Sequence, residues 1–219
     1  DELYPGGFRH NEQSLRVVEV LENDGRGLNL TWEVRDGILN HSKNWTDILD
    51  KNIGAAATLE GQICKIADAV AYINHDIDDA IRAGVIKEDD LPGDAVNLLG
   101  GTNRERINSL VVDIVSFALK TGRESGGPPQ IGMSSSVREA SNRLRQFLLK
   151  RVYSVARGES EQAREVVRSL YEYFVRVPER LPDEYRLVHG DVQRSVVDYI
   201  SGMTDRYAME TYREVSSAT

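Results

Sequence analysis

The chain has 219 residues, of which 40% are apolar and 28% are charged, and this balance is typical of a globular protein with a substantial core. Its net charge of −8 argues against a nucleic-acid duplex as a partner. Cys64 is its one cysteine, which excludes an intramolecular disulfide and fits a reducing compartment such as the cytoplasm. No apolar run is long enough to predict a membrane span, and the chain begins at Asp1 rather than methionine, so we expect a processed chain or a piece of a longer protein.

Helical spacing of apolar residues begins near the N-terminus. It predicts a first helix over about 11–22, which the turn-forming sequence NDGRG ends. A second helix is expected over about 30–42, and the stretch 44–57 is expected to be a loop.

The third predicted helix has the clearest start and stop signals. Thr58 can act as N-cap, because its hydroxyl can accept a hydrogen bond from a free backbone N–H of the first turn. Gly84 can adopt the left-handed conformation that often ends a helix. Between them, apolar residues recur at steps of three and four, as expected for one buried face: Leu59, Ile63, Ile66, Val70, Ile73, Ile77 and Ile81.

The second half of the chain continues the helical pattern. Further helices are predicted over about 94–99, 105–120, 136–156, 159–176 and 190–215. The Gly-, Pro- and Ser-rich stretch 121–135 predicts a mobile surface loop, with a domain linker as the alternative. Gly202, inside the last helix, predicts a kink or a close helix contact. Because YRLVHG is the only candidate strand and is very short, the predicted fold class is all-α.

The third helix also carries an acidic stripe that needs an explanation. At about 100° per residue, a second face of the helix collects Asp68, Tyr72, His75, Asp76 and Asp79. No basic residue lies between Lys65 and Arg82 to compensate the acids. Aspartate is a poor helix former, and like charges on one face cost stability unless a cation or hydrogen-bond donors offset them. Two interpretations stay open: a solvated acidic face, or half of a hard-metal site with aspartate oxygens as ligands.

Two other segments offer polar chemistry. His10 opens the sequence HNEQ at the expected start of the first helix, where proton transfer and hydrogen bonding could be combined. Arg104 and Arg106 can be interpreted as phosphate-binding residues, because arginine makes bidentate contacts to phosphate, or as an ordinary exposed start of a helix.

A family resemblance rests on five segments that occur in order along nearly the whole chain. They are FRHNEQSLRVVE, GLNLTWEVRDGILNHS, ATLEGQICKIADAVAYINHDIDDAI, RLRQFLLKRVY and VVDYISGMTDRYAMETY. These segments resemble bacterial deoxyguanosinetriphosphate triphosphohydrolase-like proteins, which belong to the HD-domain dNTP triphosphohydrolases. The resemblance implies an all-α, HD-domain-like helical bundle and a reaction that hydrolyses a dNTP to a deoxynucleoside and tripolyphosphate.

The resemblance also implies roles for individual residues. Asp68 matches a metal-binding aspartate, whereas Tyr72 and Asp76 match residues that contact the phosphates and the sugar 3′-hydroxyl. Asn11 matches a position near the nucleotide, and His10 is expected to be catalytic. The implied cofactor is a divalent metal ion, either Mg²⁺, Mn²⁺ or another transition metal. The implied partners are a deoxynucleoside triphosphate and further copies of the chain in a homo-oligomer, without a membrane or a nucleic-acid duplex.

One departure from the family pattern bears on activity. The family's first metal-binding histidine, its His-Asp pair and the catalytic segment after them would precede Asp1. Residues 1–120 would then be the C-terminal part of an HD domain, followed by the mobile loop at 121–135 and a helical region over 136–219 packed on the first part. We therefore expect the chain alone to be inactive. It would be a fragment of an active enzyme, the partner of a chain that supplies the missing ligands, or a non-catalytic nucleotide-binding or oligomerisation module.

Overall fold

A computed structural model describes residues 3–41, 56–154, 157–186 and 191–217, and for 157–160 it describes the backbone alone. These residues form helices and contain no strand, so the all-α prediction is confirmed. The predicted end of the second helix near 42, most of the predicted loop at 44–57 and the end of YRLVHG lie outside the described ranges. Within those ranges, no helix is long and apolar enough to cross a membrane.

The helices are numbered in chain order. They are α1 (His10–Arg16), α2 (Glu22–Gly25), α3 (Trp32–Asn40), α4 (Leu59–Arg82), α5 (Gly93–Leu99), α6 (Asn103–Ser125), α7 (Ser135–Leu148), α8 (Arg157–Arg176), α9 (Asp183–Arg186), α10 (Val192–Ser201) and α11 (Asp205–Ser217). Wider π-helical turns continue α1 over Val17–Leu21 and α7 over Leu149–Tyr153. In α2, Asn23 and Asp24 have left-handed backbone angles, so the NDGRG sequence ends the first helix as predicted.

The chain divides into two compact units. The terminal unit comprises Asp1–Leu39 and Arg157–Thr219, and the central unit comprises Asn40–Ala156. The sequence-based division into 1–120, a loop and 136–219 does not coincide with these units. As a statement about domain organisation, it stays a prediction.

The core of the central unit fixes the orientation of α4. Ile77 of α4, Leu110 of α6 and Leu144 of α7 are fully buried in one apolar cluster, and α4 packs against both α6 and α7. The prediction that Ile63 also belongs to the buried stripe is wrong, because its side chain is 47% exposed. Ile63 lies near the start of α4, where it lines an open apolar cleft with Val111.

The predicted ends of α4 are confirmed. The Thr58 hydroxyl accepts a hydrogen bond from the Gly61 N–H at 3.1 Å, which satisfies one free donor of the first turn. At the other end, Gly84 has a φ of 71°, and the N–H of Val85 reaches back to the carbonyl of Ala80 at 2.9 Å. These two ends fix which residues of the acidic stripe are helical.

The helix α6 is longer at both ends than its sequence pattern predicts. It begins at Asn103 because Thr102 and Glu105 form a reciprocal capping box. It continues to Ser125 and ends at Gly126, whose φ is 61°. The first part of the predicted loop at 121–135 is therefore helical.

The core of the terminal unit joins α8, α10 and α11. Leu170 and Phe174 of α8 are buried with Val196 and Tyr199 of α10. The single helix expected over 190–215 is broken after Ser201, so the kink predicted at Gly202 is confirmed. A Cβ atom at Gly202 would lie 3.4 Å from the hydroxyl of Tyr185, which shows how closely the neighbouring segment approaches.

Candidate functional site

The helix α4 carries three of the predicted site residues on one face. Asp68, Tyr72 and Asp76 follow one another at steps of four residues, so each lies roughly 6 Å further along the helix axis. Tyr72 is 62% exposed, and both aspartates are half-buried. The opposite side of α4, which includes Ile73 and Ile77, is buried in the central core. Core packing thus directs the three polar side chains away from the core and toward a surface where a ligand could bind.

Asp76 has a partner that the sequence did not reveal. The hydroxyl of Tyr153, in the π-helical turn after α7, donates a hydrogen bond to the Asp76 carboxylate at Oδ2. Burial, together with the hydrogen bond and the negative charge of Asp76, raises the pKa of Tyr153 well above its ordinary value. The phenol therefore stays protonated at neutral pH and holds one carboxylate oxygen in place.

Tyr153 belongs to the segment RLRQFLLKRVY, which contributed to the family resemblance without a role for any of its residues. The local signal that could have singled it out is weak. Short π-helical turns often occur at functional sites, but they are not visible as a distinct pattern in the sequence. The contact with Asp76 depends on how α7 packs against α4.

A second polar network lies beside α4 and is buried. Arg106 of α6 is 1% exposed and donates from Nε to the Asn74 side chain at 2.8 Å and from Nη1 to the Gly101 carbonyl at 2.7 Å. Its Nη2 lies 3.2 Å from Asp78 Oδ1, and the amide of Asn103 donates to the other oxygen of the same carboxylate. The interpretation of Arg106 as a phosphate-binding residue is therefore wrong, because its guanidinium is enclosed and bound to protein groups.

A complete metal site is not formed by the part of the chain that the structure describes. Within the described ranges, no three histidine, cysteine, aspartate or glutamate side chains come together in a way that could hold a metal ion. Asp68 offers the oxygen chemistry that a hard cation prefers, but it would supply only part of a coordination shell. The described residues thus supply one ligand of a metal site and not a complete coordination shell.

The other two predicted site residues, His10 and Asn11, lie in the terminal unit. They open α1, where His10 is exposed and its backbone carbonyl accepts a hydrogen bond from Ser14 Oγ at 2.8 Å. The side-chain amide of Asn11 donates to the carbonyl of Leu39 at 2.7 Å and so ties α1 to the end of α3. This bond uses the amide nitrogen of Asn11 and leaves its side-chain oxygen as an acceptor.

Comparison with known proteins connects these features to a family. The model of the phosphohydrolase-associated domain matches residues 131–214. A deoxyguanosinetriphosphate triphosphohydrolase-like protein of Caldanaerobacter subterraneus subsp. tengcongensis is 48% identical over 220 residues, which cover 98% of this chain and 60% of that protein. Proteins of the same name from Clostridium perfringens and Desulfatibacillum aliphaticivorans are 41% and 36% identical, again over 98% of this chain.

These relatives are longer than the chain. The chain spans 60% of the Caldanaerobacter protein, 62% of the Clostridium protein and 63% of the Desulfatibacillum protein. The resemblance predicted from the sequence motifs is confirmed over almost the whole chain, and so is the prediction of an HD-type helical fold.

Proposed function

We propose that this chain, which resembles the deoxyguanosinetriphosphate triphosphohydrolase-like proteins over 98% of its length, forms the C-terminal part of a hydrolase that converts a dNTP to a deoxynucleoside and tripolyphosphate. The observation that carries the proposal is the polar face of α4. There Asp68, Tyr72 and Asp76 are spaced one helical turn apart, and Tyr153 orients the last of them.

The two ends of a nucleotide require different chemistry, and this face offers both. The exposed phenol of Tyr72 can donate a hydrogen bond to a phosphate oxygen. Asp76 can accept a hydrogen bond from the sugar 3′-hydroxyl. Since Tyr153 binds Asp76 Oδ2, Oδ1 is the oxygen that is available for the substrate hydroxyl. Tyr153 is in this view a positioning residue for Asp76.

The resemblance also gives roles to His10 and Asn11, which lie in the terminal unit. His10 is exposed, so its imidazole can exchange protons with a bound substrate or with water. Asn11 would contribute its side-chain oxygen as an acceptor near the nucleotide, because its amide nitrogen is bound to the Leu39 carbonyl. The relatives' additional length leaves room for further catalytic residues outside the 219 residues.

A divalent cation, Mg²⁺, Mn²⁺ or another transition metal, is part of the proposal. When bound, such an ion would polarise the phosphate that is attacked. Asp68 would provide one carboxylate ligand, and the remaining ligands would come from outside the described residues. For this reason we expect the chain of 219 residues to be inactive alone.

The proposed partners are a deoxynucleoside triphosphate and further copies of the chain. Support for self-association comes from α6, where four large apolar side chains are about half exposed: Val111, Val112, Val115 and Leu119. Contiguous apolar surface of this kind commonly marks an interface.

A direct assay tests the proposed reaction. The gene product at its natural length and the chain of 219 residues are each incubated with dATP, dCTP, dGTP or dTTP and with Mg²⁺ or Mn²⁺, and tripolyphosphate release is measured. We expect turnover by the natural-length protein, loss of turnover with a chelator, and none by the shorter chain. Nucleotide binding without tripolyphosphate release by the natural-length protein would instead favour a non-catalytic binding or assembly module.

Removal of the Tyr153 hydroxyl tests its positioning role. For Tyr153→Phe in the natural-length protein, we expect kcat/KM for the dNTP to fall about tenfold, because a hydrogen bond to a charged group contributes roughly 1.5–3 kcal/mol. Asp76 is half-buried, so water can replace the lost donor, and the free energy of unfolding should change by less than about 1 kcal/mol. Steady-state kinetics and urea unfolding measure the two quantities. An unchanged kcat/KM would remove Tyr153 from the proposed site.

A further inference from the structure

A cleft in the terminal unit brings three arginines together. It is lined by Arg9, Arg16 and Arg194, with Glu12 and Gln13 between them. Its volume is about 310 Å³, which is at the lower end of the range for pockets that bind small molecules. None of these residues has a role in the proposed function, although Arg9 and Glu12 flank His10 and Asn11 in the sequence.

Two of the three guanidinium groups share one carboxylate. Arg16 binds Asp198 through Nε at 2.8 Å and through Nη2 at 2.6 Å, and Arg194 Nη2 lies 3.1 Å from the same group. The Asp198 side chain is 1% exposed, whereas those of Arg16 and Arg194 are 19% and 21% exposed. Gln13 donates to Asp198 at 3.1 Å and accepts from Arg194. Two positive charges therefore face one negative charge, and one positive charge is left uncompensated.

Several hydrogen-bond donors of this cluster are unused. Arg194 Nε is buried and has no hydrogen-bond partner among the described residues. The described contacts of Arg16 and Arg194 also leave the Nη1 donors of both side chains without an acceptor. A buried donor without a partner is unfavourable, so Arg194 Nε favours an acceptor-rich ligand, and the more accessible Nη1 groups can add further hydrogen bonds to it.

We propose that this cleft binds the phosphoryl group of a small phosphorylated molecule through Arg16 and Arg194. Phosphate oxygens match the forked donors of arginine, and their negative charge offsets the uncompensated guanidinium. Arg9 can contribute a third positive charge, because little stability is lost when it leaves its present ion pair. Its ion pair with Glu12, at 3.2 Å, is exposed on both sides, and such pairs contribute little to stability.

Calorimetric titration of the 219-residue chain tests the site with three ligands: inorganic phosphate, tripolyphosphate and dGTP. We expect wild type to bind at least one of them, and Arg194→Gln to weaken that binding at least about tenfold, since the variant loses a charge and the unused Nε donor. Tighter binding of phosphate or tripolyphosphate would identify a free phosphoanion as the ligand. Tighter binding of dGTP would identify a nucleotide.

The variants are chosen to separate ligand binding from folding. Arg194→Gln leaves Arg16 and Gln13 bound to Asp198, and thermal unfolding checks that the unit stays folded. Arg9→Gln changes an exposed side chain and should weaken binding by a smaller factor. Arg206→Gln removes an exposed arginine of α11, outside the cleft, and should leave binding unchanged. The proposal is overturned if folded wild type binds none of the three ligands, or if Arg194→Gln and Arg206→Gln bind as tightly as wild type.

Discussion

Replacement of Asp68 by asparagine should lower dNTP hydrolysis by the natural-length protein about a hundredfold or more. The substitution keeps the size of the side chain but removes its negative charge. We propose that this charged carboxylate binds the metal ion. Stabilisation of transition-state charge by a metal ion contributes several kcal/mol, and each 1.4 kcal/mol corresponds to a factor of ten in rate. Initial rates of tripolyphosphate release measure the effect, and titration with Mn²⁺ should show weaker metal binding.

The same helix offers a matched control for this substitution. Asp79→Asn makes the identical chemical change on α4 at an exposed residue that is paired with Arg82 at 3.2 Å. We expect its turnover to stay within about twofold of wild type, because exposed ion pairs contribute little. If Asp68→Asn and Asp79→Asn retain the same turnover, the acidic stripe is a solvated face and Asp68 has no role in the reaction.

The ends and orientation of α4 could be predicted because their causes are local. Thr58 caps the first turn, Gly84 allows the left-handed exit, and the apolar period selects which side is buried. The prediction from the apolar period is wrong at Ile63, which lines an open apolar cleft with residues of α6. Which part of an apolar face is covered is a property of packing rather than of local sequence.

The partners of the site residues could not be predicted, because these contacts too depend on how distant helices pack. Tyr153 and Asp76 are 77 residues apart, and their hydrogen bond exists only because α7 packs against α4. Likewise, the sequence around Arg106 is that of an exposed helix start. Its burial results from Asn74 and Asp78, which α4 presents to it from 32 and 28 residues away. Long-range pairing of polar groups leaves no periodic trace in a single sequence.

Burial of Arg106 leads to the second large expected effect. Replacing Arg106 with methionine should lower the free energy of unfolding by about 3–5 kcal/mol, which is the usual cost of removing one partner from a buried ion pair. The buried Asn74 side chain would lose a donor at 2.8 Å and the Gly101 carbonyl a donor at 2.7 Å. Asp78 is 33% exposed, so water would compensate part of its loss.

Arg104→Met provides the matched control for this measurement. Arg104 lies two residues earlier on α6 and is exposed, so the same substitution there should change the free energy of unfolding by no more than about 0.5 kcal/mol. Urea unfolding of both variants, followed by circular dichroism, gives the comparison. For the double variant Arg106→Met with Asp78→Asn, the loss in the free energy of unfolding should be smaller than the sum of the two single losses. Each single substitution already removes the same ion pair. A loss below about 1 kcal/mol for Arg106→Met would mean that the network does not stabilise the junction of α4 and α6.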